Sequence, residues 1–155
     1  MASEENIIYD RSLLGVEHFI GSFHITRDMI LEFSKSTGET NPLYIDEEKA
    51  KASVHGDLIA PPTFCNLFIA GFMRPDIKLQ YGDMGLFASQ AVENHAPIKP
   101  GDTLEAKMKL KEVYAKTGRS GKMVFAVWET CVTNQTGATV ALVRDSFVRR
   151  KRQKP

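Results

Sequence analysis

The second half of the chain alternates between apolar and charged side chains in a way that only a β-strand can use. Over residues 104–112 the apolar set is Leu104, Ala106, Met108 and Leu110, and the charged set is Glu105, Lys107, Lys109 and Lys111. Successive side chains of a strand point to opposite faces of a sheet. The pattern therefore predicts a strand with one buried face and one face in solvent.

Two further strands are predicted after this one. Residues 122–132 are apolar on both faces, which is typical of a central strand. Residues 114–121 contain Gly118 and Gly121 and are expected to form the hairpin connection. A turn at residues 134–137 then leads into a last strand over residues 139–148. Long strands joined by short turns indicate an antiparallel sheet.

The first half of the chain is predicted to be helical. Residues 27–36 form a helix capped by Thr26 and stopped by Gly38, and Asp46 caps a second helix over residues 47–53. Residues 62–73 are apolar nearly all round, which predicts a helix wrapped by other elements, and residues 74–84 read as a loop. Helices followed by antiparallel strands indicate an α+β fold. One domain is expected over residues 1–148, followed by a basic, disordered tail at 149–155.

Two short motifs in the helical half gather polar groups. The first, GETNPLY from Gly38 to Tyr44, places a carboxylate (Glu39), an amide (Asn41) and a phenol (Tyr44) around an Asn-Pro turn. The second is APPTF, from Ala60 to Phe64. Such crowding indicates a pocket wall, although Asn41 is better explained as the residue that fixes the turn. Glu39 could also be a solvated loop acid, and Tyr44 could serve packing as well as substrate contact.

These motifs carry a resemblance to a known family. The stretch from Thr37 to Met73 resembles the MaoC-like hydratase/dehydratase branch of the hotdog superfamily, whose signature runs Gly-Asp-x-Asn-Pro-Leu-His and later His-Gly-Met. The resemblance implies one hotdog fold, a long central helix wrapped by a strongly bent antiparallel sheet, which dimerises through sheet edges. It also implies that an Asp and a His polarise the water added to an enoyl thioester, while a glycine N–H receives the charge that develops on the thioester oxygen.

The chain departs from that signature at all three catalytic positions, which become Glu39, Tyr44 and Pro62. Tyrosine, with a reference pKa of about 10, does not exchange protons near neutrality as imidazole does. Proline has no N–H to donate. The chain is therefore most similar to the degenerate N-terminal half, or partner subunit, of two-part dehydratases, the FAS1-like dehydratase domain. The segment Gln90–Thr103 resembles the strand and Pro-x-x-x-Gly-Asp turn of that family.

The resemblance implies a component of an enoyl-thioester hydratase or 3-hydroxyacyl dehydratase that binds substrate beside a catalytic Asp/His subunit, as a homodimer or heterodimer. Glu39 would be a candidate base and Tyr44 would replace the histidine, while the substrate-binding set would be Asn41, Pro62, Thr63 and Phe64. No cofactor is expected beyond the coenzyme A or acyl-carrier thioester, and no metal. The alternatives are a self-sufficient hydratase that uses Glu39, a hotdog thioesterase, and an acyl-binding module without turnover.

The composition limits the classes of partner that the chain is expected to bind. Twenty basic residues against nineteen acidic ones give a net charge of +1, which favours neither nucleic acid nor a membrane surface. No secretory leader or long apolar run is visible, so a cytoplasmic protein is expected.

Cys65 and Cys131 are interpreted as reduced thiols. His55 and His95 could each stand in for the missing imidazole, but a structural or surface role is the better interpretation, with His55 in a turn and His95 in a strand. The lysines at 107, 109 and 111 could meet coenzyme A phosphates, but a solvated strand face explains them equally well.

Overall fold

The computed structural model describes residues 7–153. Five antiparallel strands form one sheet in the order β1-β3-β4-β5-β2. The strands are β1 Glu17–His24, β2 Met84–Asn94, β3 Thr103–Gly118, β4 Gly121–Thr133 and β5 Thr139–Arg150. The helices are α1 Arg27–Ser36, α2 Pro42–Ile45, α3 Glu47–Lys51 and α4 Asn66–Ile69, and a 3₁₀ turn precedes β1 at Arg11–Leu13. The prediction of an α+β fold is confirmed.

The alternating pattern of the sequence places β3 correctly. Its four apolar residues, Leu104, Ala106, Met108 and Leu110, are all fully buried. The predicted central strand is β4, which lies between β3 and β5 and is buried on both faces. Trp128 lies on the face that packs against the helices, and Glu129 lies on the outer face. We call these the inner and outer faces of the sheet.

Strand bounds differ from the sequence prediction in three places. The β3–β4 hairpin is tighter than residues 114–121, because pairing continues to Gly118 and resumes at Gly121, whose φ of +94° makes the turn. The stack of Tyr114 on Phe125, with ring centroids 5.1 Å apart, supports these extra pairs. β5 runs to Arg150, two residues into the predicted tail. β1 was not predicted, because a register shift between Phe19 and Gly21 interrupts its alternation.

The central apolar segment is helical, but the predicted long helix is wrong in its length. Within this segment only Asn66–Ile69 is α-helical. The preceding residues form turns with hydrogen bonds between residues three apart in the chain, such as Phe64 N to Pro61 O (3.0 Å). Pro61 and Pro62 supply no N–H, and Gly71 weakens the far end. We call residues 61–74 the central segment.

The central segment is buried on one side only. Phe64 is fully buried and packs edge-to-face on both Phe33 and Phe68, with 5.5 Å between ring centroids in each pair. By contrast, Leu67 is 49% exposed in a cavity shared with Phe33 of α1, and Met73 is 90% exposed. The segment that the sequence predicts to be buried all round therefore has one apolar face uncovered in the single chain.

Candidate functional site

The GETNPLY motif and the residues that follow it form two short helices, each capped at its N-terminus by a side chain. Asn41 Oδ1 accepts a hydrogen bond from Leu43 N at 3.0 Å, and Pro42 follows as the first residue of α2. Asp46 Oδ1 accepts from Lys49 N at 3.1 Å and caps α3. Asp46 caps α3 as predicted, although α3 ends at Lys51 rather than Ser53. Asn41 fixes the chain through its side chain as expected, but it does so as the N-cap of α2, a helix that was not predicted.

A cavity of about 250 Å³ lies between α2, the start of the central segment and the end of β2. We call it the Tyr44 cavity. Two backbone hydrogen bonds hold its walls together, Ile59 N to Leu43 O (3.1 Å) and Ala60 N to Ile98 O (2.8 Å). Its lining residues are Tyr44, His55, Ile59, Ala60, Pro61, Pro62, Asn94, His95, Ala96, Pro97 and Ile98. The cavity thus joins Tyr44 of the first motif to Ala60, Pro61 and Pro62 of the second.

The other predicted site residues lie outside the wall of this cavity. Glu39 is half-buried after α1, where its N–H donates to Ser34 O at 2.9 Å. Phe64 lies in the core, while Asn41 and Thr63 are exposed. Within the single chain, therefore, the candidate base and the replaced histidine do not share one cavity.

Two histidines that sequence reasoning had assigned to structural or surface roles line the Tyr44 cavity. His55 lies in the loop after α3, with its carbonyl accepting a hydrogen bond from Lys99 Nζ at 2.6 Å. His95 is exposed and lies one residue beyond β2 rather than within a strand, with its N–H donating to Val140 O at 2.8 Å. The cavity wall therefore carries one phenol and two imidazoles.

A polar network lies on the inner face of the sheet, where sequence reasoning had found nothing. Arg74 Nη2 donates to Asp145 Oδ2 at 2.7 Å, and Gln90 Nε2 donates to Asp145 Oδ1 at 2.8 Å. Gln90 and Asn66 exchange two amide hydrogen bonds, at 3.0 and 3.1 Å. The available signal was an acid at Asp145 between Val143 and Phe147, in alternation with apolar residues that face the core.

Two more cavities follow β2 away from Tyr44. The nearer one, about 290 Å³, is lined by Asn66, Ile69, Ala70, Arg74, Phe87, Gln90, Asp145 and Phe147. The farther one, about 370 Å³, shares Phe87 and Phe147 with it and reaches Trp128 and Arg149. Together they trace a groove along β2, bounded first by the central segment and then by residues 75–79.

The lysines of β3 face a buried acid on the outer side of the sheet. Glu129 accepts hydrogen bonds from Lys111 Nζ and from Arg144 Nε, both at 2.8 Å, and Lys109 Nζ lies 3.7 Å away. Burial raises the pKa of the Glu129 carboxyl, but the hydrogen bonds and charges of Lys111 and Arg144 outweigh it and hold the pKa below its ordinary value. Ion pairing with Glu129 within the sheet thus explains the presence of Lys109 and Lys111 on this face.

The comparisons with known proteins agree with this architecture. The family described as "FAS1-like, dehydratase domain region" matches residues 12–143, most of the chain. The chain belongs to this family. A UPF0336 protein of Saccharopolyspora erythraea is 29% identical over 147 residues, which cover 91% of each chain. UPF0336 protein SCO4636 of Streptomyces coelicolor is 31% identical over 116 residues, which cover 70% of this chain and 76% of the relative.

Solved structures similar to this FAS1-like dehydratase domain include three from MaoC-like systems. A MaoC-like dehydratase from Rhodospirillum rubrum has a TM-score of 0.70 at 18% identity, covering 95% of this chain and 99% of that one. From Mycobacterium tuberculosis, the ChsH1–ChsH2 complex gives 0.72 at 20% identity, covering 91% and 86%. The HadBC (3R-hydroxyacyl-ACP dehydratase) complex of that organism gives 0.69 at 21% identity, covering 90% and 98%. The predicted hotdog fold is confirmed.

Two absences hold for residues 7–153. No helix there is both long enough and apolar enough to cross a bilayer. No group of three or more His, Cys, Asp or Glu side chains in that range is arranged to hold a metal ion.

Proposed function

We propose that this FAS1-like dehydratase domain is the acyl-thioester-binding component of an enoyl-thioester hydratase/dehydratase, and that a second hotdog subunit with an intact Asp/His pair supplies most of the catalysis. One observation carries the proposal: Tyr44 and Pro62, which occupy the family's imidazole and oxyanion-donor positions, line one cavity. The cavity is retained, and two of the groups that would turn a substrate over in it are replaced.

The chemistry of hydration explains why these replacements matter. Water adds its oxygen to carbon 3 of the enoyl thioester as a base removes a proton, and a proton is delivered to carbon 2. Negative charge accumulates on the thioester oxygen in between, and losing one donor to such an oxygen typically costs a factor of about 10²–10³ in rate. Pro62 cannot be that donor, and Tyr44 is a poor base near neutrality.

The β2 edge supports the presence of a second subunit. Within residues 7–153, β2 pairs with β5 alone, and Leu86 (48%) and Phe87 (57%) on it are exposed. Met73, near the end of the adjoining central segment, is 90% exposed and adds apolar surface. Exposed apolar edge strands invite pairing. The ChsH1–ChsH2 and HadBC structures are themselves complexes of two chains.

The test is to co-express the chain with a small hotdog subunit that carries Gly-Asp-x-Asn-Pro-x-His and to follow enoyl-CoA hydration. We expect co-purification and at least a tenfold higher rate, relative to either subunit alone. Phe87→Lys should abolish both effects, since it places a charge on the β2 edge. Phe19→Lys is the matched control, because Phe19 is equally exposed (58%) on the opposite edge strand. Failure to form a complex, with no gain in rate, contradicts the proposal.

The two imidazoles of the Tyr44 cavity favour a second candidate, a hydratase active on its own. In that case His55 or His95 would exchange the protons that Tyr44 cannot. Hydration by the purified chain, reduced at least tenfold by a His55→Ala/His95→Ala double variant but not by His24→Ala, would support it. His24 is the control because it lies outside the cavity, on β1.

A further inference from the structure

Polar side chains cross the groove at the first position along β2 beyond the Tyr44 cavity. The central segment runs antiparallel to β2: residues 59–62 and 94–98 line the Tyr44 cavity, whereas Asn66 and Gln90 line the next cavity along. Asn66 follows Pro62 by about one helical turn, and Gln90 precedes Asn94 by four residues. The first polar pair beyond the cavity therefore links the segment to the strand across the groove.

This pair extends from the rim of the groove to its floor. Asn66 and Gln90 are joined by two hydrogen bonds, and Gln90 also donates to Asp145, which is only 3% exposed on β5. Arg74 holds the other oxygen of Asp145. We call Asn66, Gln90 and Asp145 the amide wall. In the single chain its rim is open to solvent, and the proposed second subunit would cover it.

We infer that the amide wall is a chain-length stop, so that the thioesters bound in the Tyr44 cavity carry short acyl chains. This inference rests on the proposed function. The Tyr44 cavity has a volume of about 250 Å³, which suits a short alkyl chain better than a long one. A longer alkyl chain would have to enter the wall, and it would separate amide and carboxylate groups that it cannot hydrogen-bond in return.

The two cavities that extend from the wall away from Tyr44 sharpen the test. Phe87 and Phe147 line both of them, with ring centroids 5.4 Å apart, so space for an alkyl chain exists on the far side. If the wall is made apolar, each further methylene that reaches this region should tighten binding by about fourfold.

The experiment measures the dissociation constants of butanoyl-, hexanoyl-, octanoyl- and dodecanoyl-CoA, saturated thioesters that cannot be hydrated, for the full chain alone and with its partner subunit. We expect affinity to rise to hexanoyl-CoA and then to stay level or fall. In an Asn66→Leu/Gln90→Leu double variant we expect the rise to continue to dodecanoyl-CoA, by at least tenfold over wild type. Ser89→Leu is the control, because it adds the same side chain on the opposite face of β2.

The outcomes separate the two proposals. A wild-type affinity that rises steadily to dodecanoyl-CoA, or a double variant with the wild-type profile, overturns the chain-length stop and leaves thioester binding intact. Absence of binding at every chain length, alone and with the partner, overturns the proposed function instead. Thermal unfolding checks the fold of each variant, and Asn66→Ala, which opens the wall without adding volume, serves if the double variant does not fold.

Discussion

Two nearly buried carboxylates lie on opposite faces of the same pair of strands. On the inner face, Asp145 of β5 is the register partner of Trp128 and is 3% exposed. On the outer face, Glu129 of β4 is the register partner of Arg144 and is 8% exposed. They are one residue apart in register, yet their charges are compensated in different ways.

Glu129 is surrounded by cations from the sheet itself, whereas Asp145 has one cation from outside it. Lys109, Lys111 and Arg144 all belong to strands next to Glu129, so the loss of any one leaves two. Asp145 depends on Arg74, the last residue of the central segment, and on an amide of β2. The outer network stabilises the sheet locally, while the inner one ties the central segment to the sheet beside the groove.

The largest predicted effect is the loss of the single inner cation. Arg74→Met should lower the free energy of unfolding by about 2–4 kcal/mol, because it leaves the Asp145 charge buried without a counter-ion. The partial exposure of the Arg74 side chain (23%) reduces this loss. Arg144→Met is the outer counterpart and should cost about 1 kcal/mol or less, because two lysines remain. Urea unfolding measures both, and equal losses would remove the distinction between the faces.

Removing the outer anion should have an intermediate effect. Glu129→Gln should cost about 1–2 kcal/mol at pH 7, because three partly exposed cations lose their common partner while the amide keeps much of the packing. Denaturant unfolding at low and high salt would measure this cost. A cost larger than that of Arg74→Met would contradict the ordering.

The pH dependence of the stability difference between wild type and Glu129→Gln is a finer test. The pKa of Glu129 in the folded chain lies below its ordinary value of 4.5, so its stabilising contribution is complete above that pH and is lost as the pH falls through the lower, folded-state pKa. The stability gap between wild type and Glu129→Gln should thus be constant above about pH 5 and narrow at lower pH. A gap that widens on acidification would show the opposite shift. Fluorescence-monitored unfolding at several pH values gives the comparison.

The last prediction concerns the chemical reactivity of the two thiols, one on each side of the sheet, rather than stability. Burial raises the pKa of the Cys65 thiol to about 12, and its side chain is 1% exposed beside the core of the central segment. Cys131 is half-buried on β4. Iodoacetamide at pH 8 should therefore modify Cys131 at least tenfold faster than Cys65, since the thiolate is the reactive form. Peptide mass spectrometry of Cys65→Ser and Cys131→Ser variants assigns each rate, and equal rates would indicate frequent opening of the core.

The fold was largely predictable because its main signals are local. Alternation located β3, two-sided hydrophobicity located β4, and the side chains of Thr26 and Asp46 marked helix starts that the structure confirms. The length of the central helix was not predictable in the same way. Its apolar pattern suggested continuity, but Pro61 and Pro62 turn its first part into a series of tight turns.

The candidate site was predictable only where one motif contains both the residue and its role. Tyr44 and Pro62 were found from their motifs, and they line one cavity. His55 and His95 could not be placed there from sequence, since His55 comes from a loop and His95 from the end of β2, far apart in the chain. The Arg74–Asp145 pair spans a still greater separation, and only the sheet brings its members together.

The position of β2 also has a consequence for the order of folding. β3 and β4 are neighbours in sequence and can pair as soon as their hairpin closes, but β2 must wait for β5, since Met84 pairs with Arg150 near the far end of the chain. Contacts of large sequence separation form late, because a long loop must first be closed. The groove along β2 is therefore expected to be the last part of the molecule to become ordered during folding.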